Sequence, residues 1–128
     1  MSEMHANPDR VVWFDLPVAD LARASRFYGA VLGIKVHPEK AGNMSFAVLE
    51  HGPDGNGGCL IPNAQDVSGA GILVYMNIDG RIRDALRAAE QHGGRVLKTI
   101  ESIGPHGFRA IVLDSEGNRI ALHSGTDR

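Results

Sequence analysis

Six histidines and one cysteine carry most of this chain's scope for metal or nucleophilic chemistry, and their spacing supports neither. The histidines are His5, His37, His51, His92, His106 and His123, with no HxH or HxxxH pair that would set two imidazoles on one face. Cys59 has no second thiol with which to build a disulfide or a thiolate metal site, and reads as a small filler within a strand. The run Gly52–Gly58, GPDGNGG, lacks the Lys-Ser/Thr and the following helix of a phosphate loop, so it reads as a hairpin turn. His106 sits in IGPHGF, a loop suited to a pocket mouth or to plain surface. His5 and His92 have no evident partners, and His37, Glu50 and His51 have no firm register.

The elements that must position such residues follow from composition and pattern. With 128 residues, 43% hydrophobic and 22% charged, the chain is long and apolar enough for one domain with its own core. A net charge of −2 gives no electrostatic reason to expect nucleic acid or an anionic membrane as partner. Arg81, Arg83 and Arg87 alternate with Ile82, Ala85 and Leu86, as on a solvated helix face. No stretch approaches the roughly 20 apolar residues of a membrane span, and the polar start, Met1 to Arg10, does not look like a signal peptide. The cytoplasm is the expected compartment.

Val11–Val18 reads as a strand ending at Asp20, a good N-cap. Leu21, Ala24, Tyr28, Val31 and Leu32 share a helical stripe that Gly33 ends in a left-handed cap. Ile34–Pro38, Met44–Leu49 and Cys59–Ile61 follow as strands. The second half repeats this order. Gly71–Ile78 is a strand, and Asp79 or Gly80 caps a helix with Ile82, Leu86 and Ala89 buried. Arg95–Thr99, Gly107–Leu113 and Arg119–Ser124 are strands, with Asp114–Asn118 a turn. Val18 and Ile78, Gly33 and Gly93, Val36 and Val96, Asp54 and Asp114, and Gly57 and Gly117 all pair at an offset of 60. The expectation is one α+β domain over residues 1–128, made of two βαβββ modules at about 10–63 and 70–125. Together they would form a curved, mostly antiparallel sheet with a concave face for a ligand.

Val11–Gly33, VVWFDLPVADLARASRFYGAVLG, resembles the opening strand and helix of the vicinal oxygen chelate superfamily, which holds glyoxalases, bleomycin resistance proteins and extradiol dioxygenases. Leu113–Ser124, LDSEGNRIALHS, is similar to that superfamily's closing turn and strand. The likeness covers about residues 10 to 125 and is nearest to a branch described as related to lactoylglutathione lyase. It implies a glyoxalase-like barrel and a homodimer. In metal-binding members the ligands are His, Gln or Glu on the first and last strands of each module. Carried over, these seats fall on Trp13, Leu73, Ala121 and, less surely aligned, Ile61, none of which coordinates a metal.

Side chains two residues along a strand point to the same face, which leads from those seats to Asp15, Tyr75, His123 and Asn63. An acid, a phenol and an imidazole together could bind a polar ligand or move a proton. Asp15, Tyr75 and His123 are thus the candidate catalytic group, with Trp13, Asn63, Leu73 and Ala121 as candidate substrate-binding residues. The plainer alternative is that these polar groups only satisfy one another. Trp13 could floor a pocket or simply fill the core. The expected function is binding of a small polar molecule in a concave pocket, without cofactor, either as a binding protein or as a metal-independent lyase or isomerase. The alternatives are a metal-dependent lyase or dioxygenase with displaced ligands, and an antibiotic-sequestering module without turnover.

Overall fold

Local capping chemistry fixes the first helix. In the computed structural model, which describes residues 9–53 and 55–128, Asp20 accepts a hydrogen bond from the backbone N–H of Arg23 at 3.0 Å and opens helix α1, Leu21–Leu32. Gly33, at φ 66°, closes it in the left-handed conformation that suits glycine. Ala24, Phe27, Tyr28 and Val31 are the buried face. His5 and Asp54 lie outside the described residues.

Each half is a four-stranded mixed sheet carrying one helix. Module one holds β1 (Asp15–Val18), β2 (Val36–Ala41), β3 (Met44–Leu49) and β4 (Cys59–Pro62), in the order β1-β4-β3-β2. Module two holds β5 (Val74–Asn77), helix α2 (Ile82–Gln91), β6 (Arg95–Ser102), β7 (Phe108–Leu113) and β8 (Arg119–Ser124), in the order β5-β8-β7-β6. β1 runs parallel to β4 and β5 parallel to β8, and the other pairings are antiparallel. The α+β class and the two similar modules agree with the sequence. The single curved sheet resolves into two sheets that do not close into a barrel.

The inner sheet faces and the packed pair α1 and α2 form one core. Val18, Phe27, Leu60, Ile82, Val112 and Ile120 are fully covered, and burial of each such side chain stabilises the fold by about 1.5–3 kcal/mol. Alternation along each strand leaves the second face of both sheets outside this core. Asp15, Cys59, Val48 and His37 lie abreast on the outer face of module one. Tyr75, Ala121 and Ile111, then Asn77, His123 and Arg109, do so on that of module two.

Two expectations are corrected. Neither Asp79 nor Gly80 caps α2, whose N-cap position is Arg81 without a side-chain bond. Asp79 Oδ1 instead accepts from the Gly125 N–H at 2.6 Å, tying down the C-terminal segment. Leu86 is only half-buried, because Ala85 takes its place in the buried stripe with Ile82 and Ala89. Among the described residues, no helix is long and apolar enough to cross a membrane.

Candidate functional site

The strand register sets where the chemistry can sit. Asp15 pairs with Cys59 and Tyr75 with Ala121. The first strands are therefore offset by 60 (75 − 15), but the last strands by 62 (121 − 59). The module-one counterpart of Ala121 is then Cys59 rather than Ile61. Stepping two residues on leads to Ile61, and β4 ends at Pro62, ahead of Asn63. Its Nδ2 donates to Asp66 Oδ2 at 2.7 Å at the start of a short 3₁₀ turn.

A cavity of about 640 Å³ opens between the start of module one, the β3–β4 connection and β5. Of the residues singled out from sequence, Trp13, Leu73 and Tyr75 line it. The Trp13 ring meets His51 edge-on, centroids 5.6 Å apart and planes at 87°. Phe14 adds a further aromatic surface, and Leu32, Ile34, Leu49 and Ile72 supply aliphatic wall. The polar lining is sparse: Glu50, His51, Asn56 and Asn77, with the Tyr75 hydroxyl. Few polar groups in an apolar wall is the common composition of a small-molecule site.

Sequence reasoning passed over most of these polar groups. Glu50, His51 and Asn56 lie beyond the end of β3, where strand alternation no longer predicts direction. Asn77, two residues beyond Tyr75 on one strand, was available from the same period-two argument that found Tyr75.

On the outer face of module two, Tyr75 and His123 are neighbours, with ring centroids 6.4 Å apart. Arg109 donates to the Tyr75 hydroxyl, lies 5.9 Å from its ring centroid, and is held through Nε by Glu101 Oε2 at 2.9 Å. Hydrogen bonds from Arg109 and then Lys98 hold the Glu101 carboxyl below its usual range. His123 Nε2 lies 2.6 Å from the His106 carbonyl. A carbonyl can only accept, so Nε2 carries the proton and Nδ1 is the basic nitrogen of the neutral ring.

Asp15 belongs to the other sheet. It accepts from Cys59 Sγ at 3.2 Å, and no hydrogen bond, ion pair or ring contact among the described residues joins it to Tyr75 or His123. Burial, then the bond to Asp15, push the Cys59 thiol up to about 11, against a hydrogen bond from Trp13 that acts in the opposite direction. Ala121 is fully buried between its strand partners Tyr75 and Ile111.

At the four seats given by register (Trp13, Cys59, Leu73 and Ala121) stand an indole, one protonated thiol and two hydrocarbons. This set does not fit a divalent ion. No group of three or more His, Cys, Asp or Glu among the described residues is placed to hold one.

Comparison with known proteins agrees with this architecture. Residues 10–52 match the family described as bleomycin resistance protein-like N-terminal. A glyoxylase-like domain-containing protein of Didymella fabae is 25% identical over 117 residues, covering 84% of this chain and 88% of that one. The solved structure of a glyoxalase/bleomycin resistance protein from Albidiferax ferrireducens T118 superposes with a TM-score of 0.71 at 18% identity, covering 91% of this chain and 98% of that one. Hypothetical protein SA1046 from S. aureus gives 0.70 at 17% identity, covering 89% and 92%. The opening segment thus resembles the bleomycin resistance proteins, and the fold along the chain's length is glyoxalase-like, as in the vicinal oxygen chelate superfamily.

Proposed function

We propose that this protein binds a small organic molecule, largely apolar in body, in the cavity flanked by Trp13 and Tyr75, without a metal ion. The observation that supports it is the composition of the lining: three aromatic rings (Trp13, Phe14 and Tyr75) and an aliphatic wall around a few polar groups. Such a wall favours burial of an apolar ligand at about 25 cal/mol per Å², while the sparse polar groups fix its orientation. The lining thus moves the expected ligand from a polar one towards one with an apolar body. Sequestration without turnover is the simplest function of such a site.

The chain's sole tryptophan lies in the wall, so the test is direct. Titration with the neutral dye N-phenyl-1-naphthylamine should give saturable dye emission at one per chain, with matching loss of Trp13 emission. Leu73→Arg, which sets a charge in the wall, should weaken it at least tenfold. Absence of saturable binding, or binding that leaves Trp13 emission and the Leu73 variant unchanged, would rule out the cavity.

A second reading, metal-independent proton transfer in a lyase or isomerase, is supported by the fixed tautomer of His123 beside Tyr75. Full turnover of an identified substrate by His123→Gln would exclude it. A cytoplasmic homodimer completes this reading. Val11, Ile72 and Tyr75 are exposed large side chains in the cavity wall, and light scattering at dilute concentration tests whether a second copy is present.

A further inference from the structure

We infer that the cavity selects an organic cation, an amine carried on an aromatic or aliphatic body, over an isosteric anion. This rests on the cavity being the ligand site, as proposed above. Among the described residues, no lysine or arginine lines it, and Glu50 is its one carboxylate.

An anionic ligand would therefore leave water for a wall that offers no lysine or arginine and carries the Glu50 carboxylate. An ammonium meets the opposite case: Glu50 can pair with it, and the electron-rich faces of Trp13 and Phe14 attract it.

The competing groups are identifiable. His37 Nε2 approaches Glu50 Oε2 at 4.0 Å, and the Lys35 N–H reaches Oε1 at 3.4 Å, both long contacts. The Glu50 side chain keeps 46% exposure, so a ligand ammonium could reach it while partly hydrated, which avoids the penalty of a fully buried pair. The guanidinium that touches the lining, Arg109 on the Tyr75 hydroxyl, is engaged by Glu101, a carboxylate it shares with Lys98, so a cation is favoured at the Glu50 end of the cavity rather than at Tyr75. Arg109 stacks with the Tyr75 ring, which leaves Trp13 and Phe14 as the rings for a bound cation.

Three naphthalene probes of one shape and different charge test the inference by displacement of N-phenyl-1-naphthylamine: 1-naphthylmethylamine, 1-naphthalenemethanol and 1-naphthoate. The amine should displace the dye at about a tenth of the naphthoate concentration, with the alcohol between them, a difference of roughly 1.4 kcal/mol. Glu50→Gln should abolish the advantage of the amine over the alcohol, and Glu50→Lys should reverse the order of amine and naphthoate. Naphthoate equal to or tighter than the amine, or an amine advantage that survives Glu50→Gln, would overturn the inference. Failure of the uncharged alcohol to displace the dye would instead overturn the cavity reading beneath it, so the two failures are distinct.

Discussion

The Tyr28 hydroxyl donates to Asp114 Oδ2 across 2.6 Å, joining the helix of module one to the last hairpin of module two inside the core. Burial, then the Asp114 charge and this bond, raise the Tyr28 phenol well above its usual range. It stays a donor to a carboxylate that also receives the backbone N–H groups of Glu116 and Asn118. Because a bond to a buried charge contributes about 1.5–3 kcal/mol, Tyr28→Phe should lower unfolding stability by roughly 2 kcal/mol. Urea denaturation measures this, with dye binding unchanged in the folded variant. A loss below about 0.5 kcal/mol would mean that Glu116 and Asn118 satisfy Asp114 without Tyr28.

Two residues further on, Glu116 makes the second clasp between modules. Its side chain is fully covered, whereas that of Arg23 is 48% exposed. Burial alone would raise its carboxyl. The hydrogen bonds from Arg23, the Asp20 N–H and the Ser115 hydroxyl prevail and hold it at about 2. A carboxylate lowered on folding contributes its full stability above its ordinary range and loses it as pH falls towards the folded value. The loss should fall between about pH 5 and pH 2. Glu116→Gln should cost about 2 kcal/mol at pH 7 and show a flatter decline over that window. Urea midpoints for both proteins at pH 7, 5 and 3 test the sign. Parallel declines would remove Glu116 from the account of acid lability.

These clasps explain what could be read from sequence. The Asp20 and Gly33 caps and the Asp114–Asn118 turn are satisfied within a few residues, so residue type alone specifies them. The offset of 60 survives through the first strands and the helices for the same reason. It is lost before the third strands, because β6 is bulged and reaches β7 by a longer connection than the tight turn between β2 and β3: Val36 pairs with Leu49 and Val96 with Val112, an offset of 63 (112 − 49), and the last strands keep 62, which seats Cys59 instead of Ile61. The site was legible only on or just ahead of each module's first strand: Tyr75 on β5, Leu73 one residue before it, and Trp13 two residues before β1. Glu50, His51 and Asn56 come from a connection whose path depends on tertiary contacts with Trp13 and Val11.

The glycines of that connection should control the cavity. A Cβ on Gly58 would lie 2.5 Å from the Phe14 ring, and one on Gly57 would lie 2.6 Å from His51. Both rings line the cavity. Gly58→Ala must move Phe14, at an overpacking cost of about 1–3 kcal/mol. It should also weaken N-phenyl-1-naphthylamine binding about tenfold at a temperature where the variant is folded, a loss of roughly 1.4 kcal/mol. Gly42→Ala is the control in thermal stability only, because nothing lies within 4 Å of its Cβ although its φ is 62°. Unaltered dye affinity in Gly58→Ala would show that Phe14 does not shape the ligand space.

Divalent metal should leave stability unchanged. A specific ion at about 100 times its Kd stabilises a fold by roughly 2.7 kcal/mol, several degrees in a domain of this size. With Trp13, Cys59, Leu73 and Ala121 at the seats, saturating Zn²⁺, Ni²⁺ or Mn²⁺ should give no such rise, and EDTA no fall. A rise in Tm of several degrees that disappears in Cys59→Ala or Asp15→Asn would place an ion on the outer face of module one and revive metal chemistry.

Cys59 should be inert in the folded protein despite being the sole thiol. The thiolate is the reactive form, and two features act against it. The residue is 4% exposed, and burial with the bond to Asp15 raises the thiol to about 11. At pH 8 a group titrating near 11 is ionised in only about one molecule in a thousand, against about a quarter for an ordinary thiol. Labelling by 5,5′-dithiobis(2-nitrobenzoate) should therefore be slower than in urea-unfolded chain by a factor of at least about 100. Asp15→Asn removes the carboxylate that favours the protonated thiol, so the rate should rise and its pH midpoint should fall. Because burial is the larger cause, the variant should still react more slowly than the unfolded chain. If Asp15→Asn changed neither rate nor midpoint, the Cys59–Asp15 contact would have no electrostatic consequence and burial alone would protect the thiol.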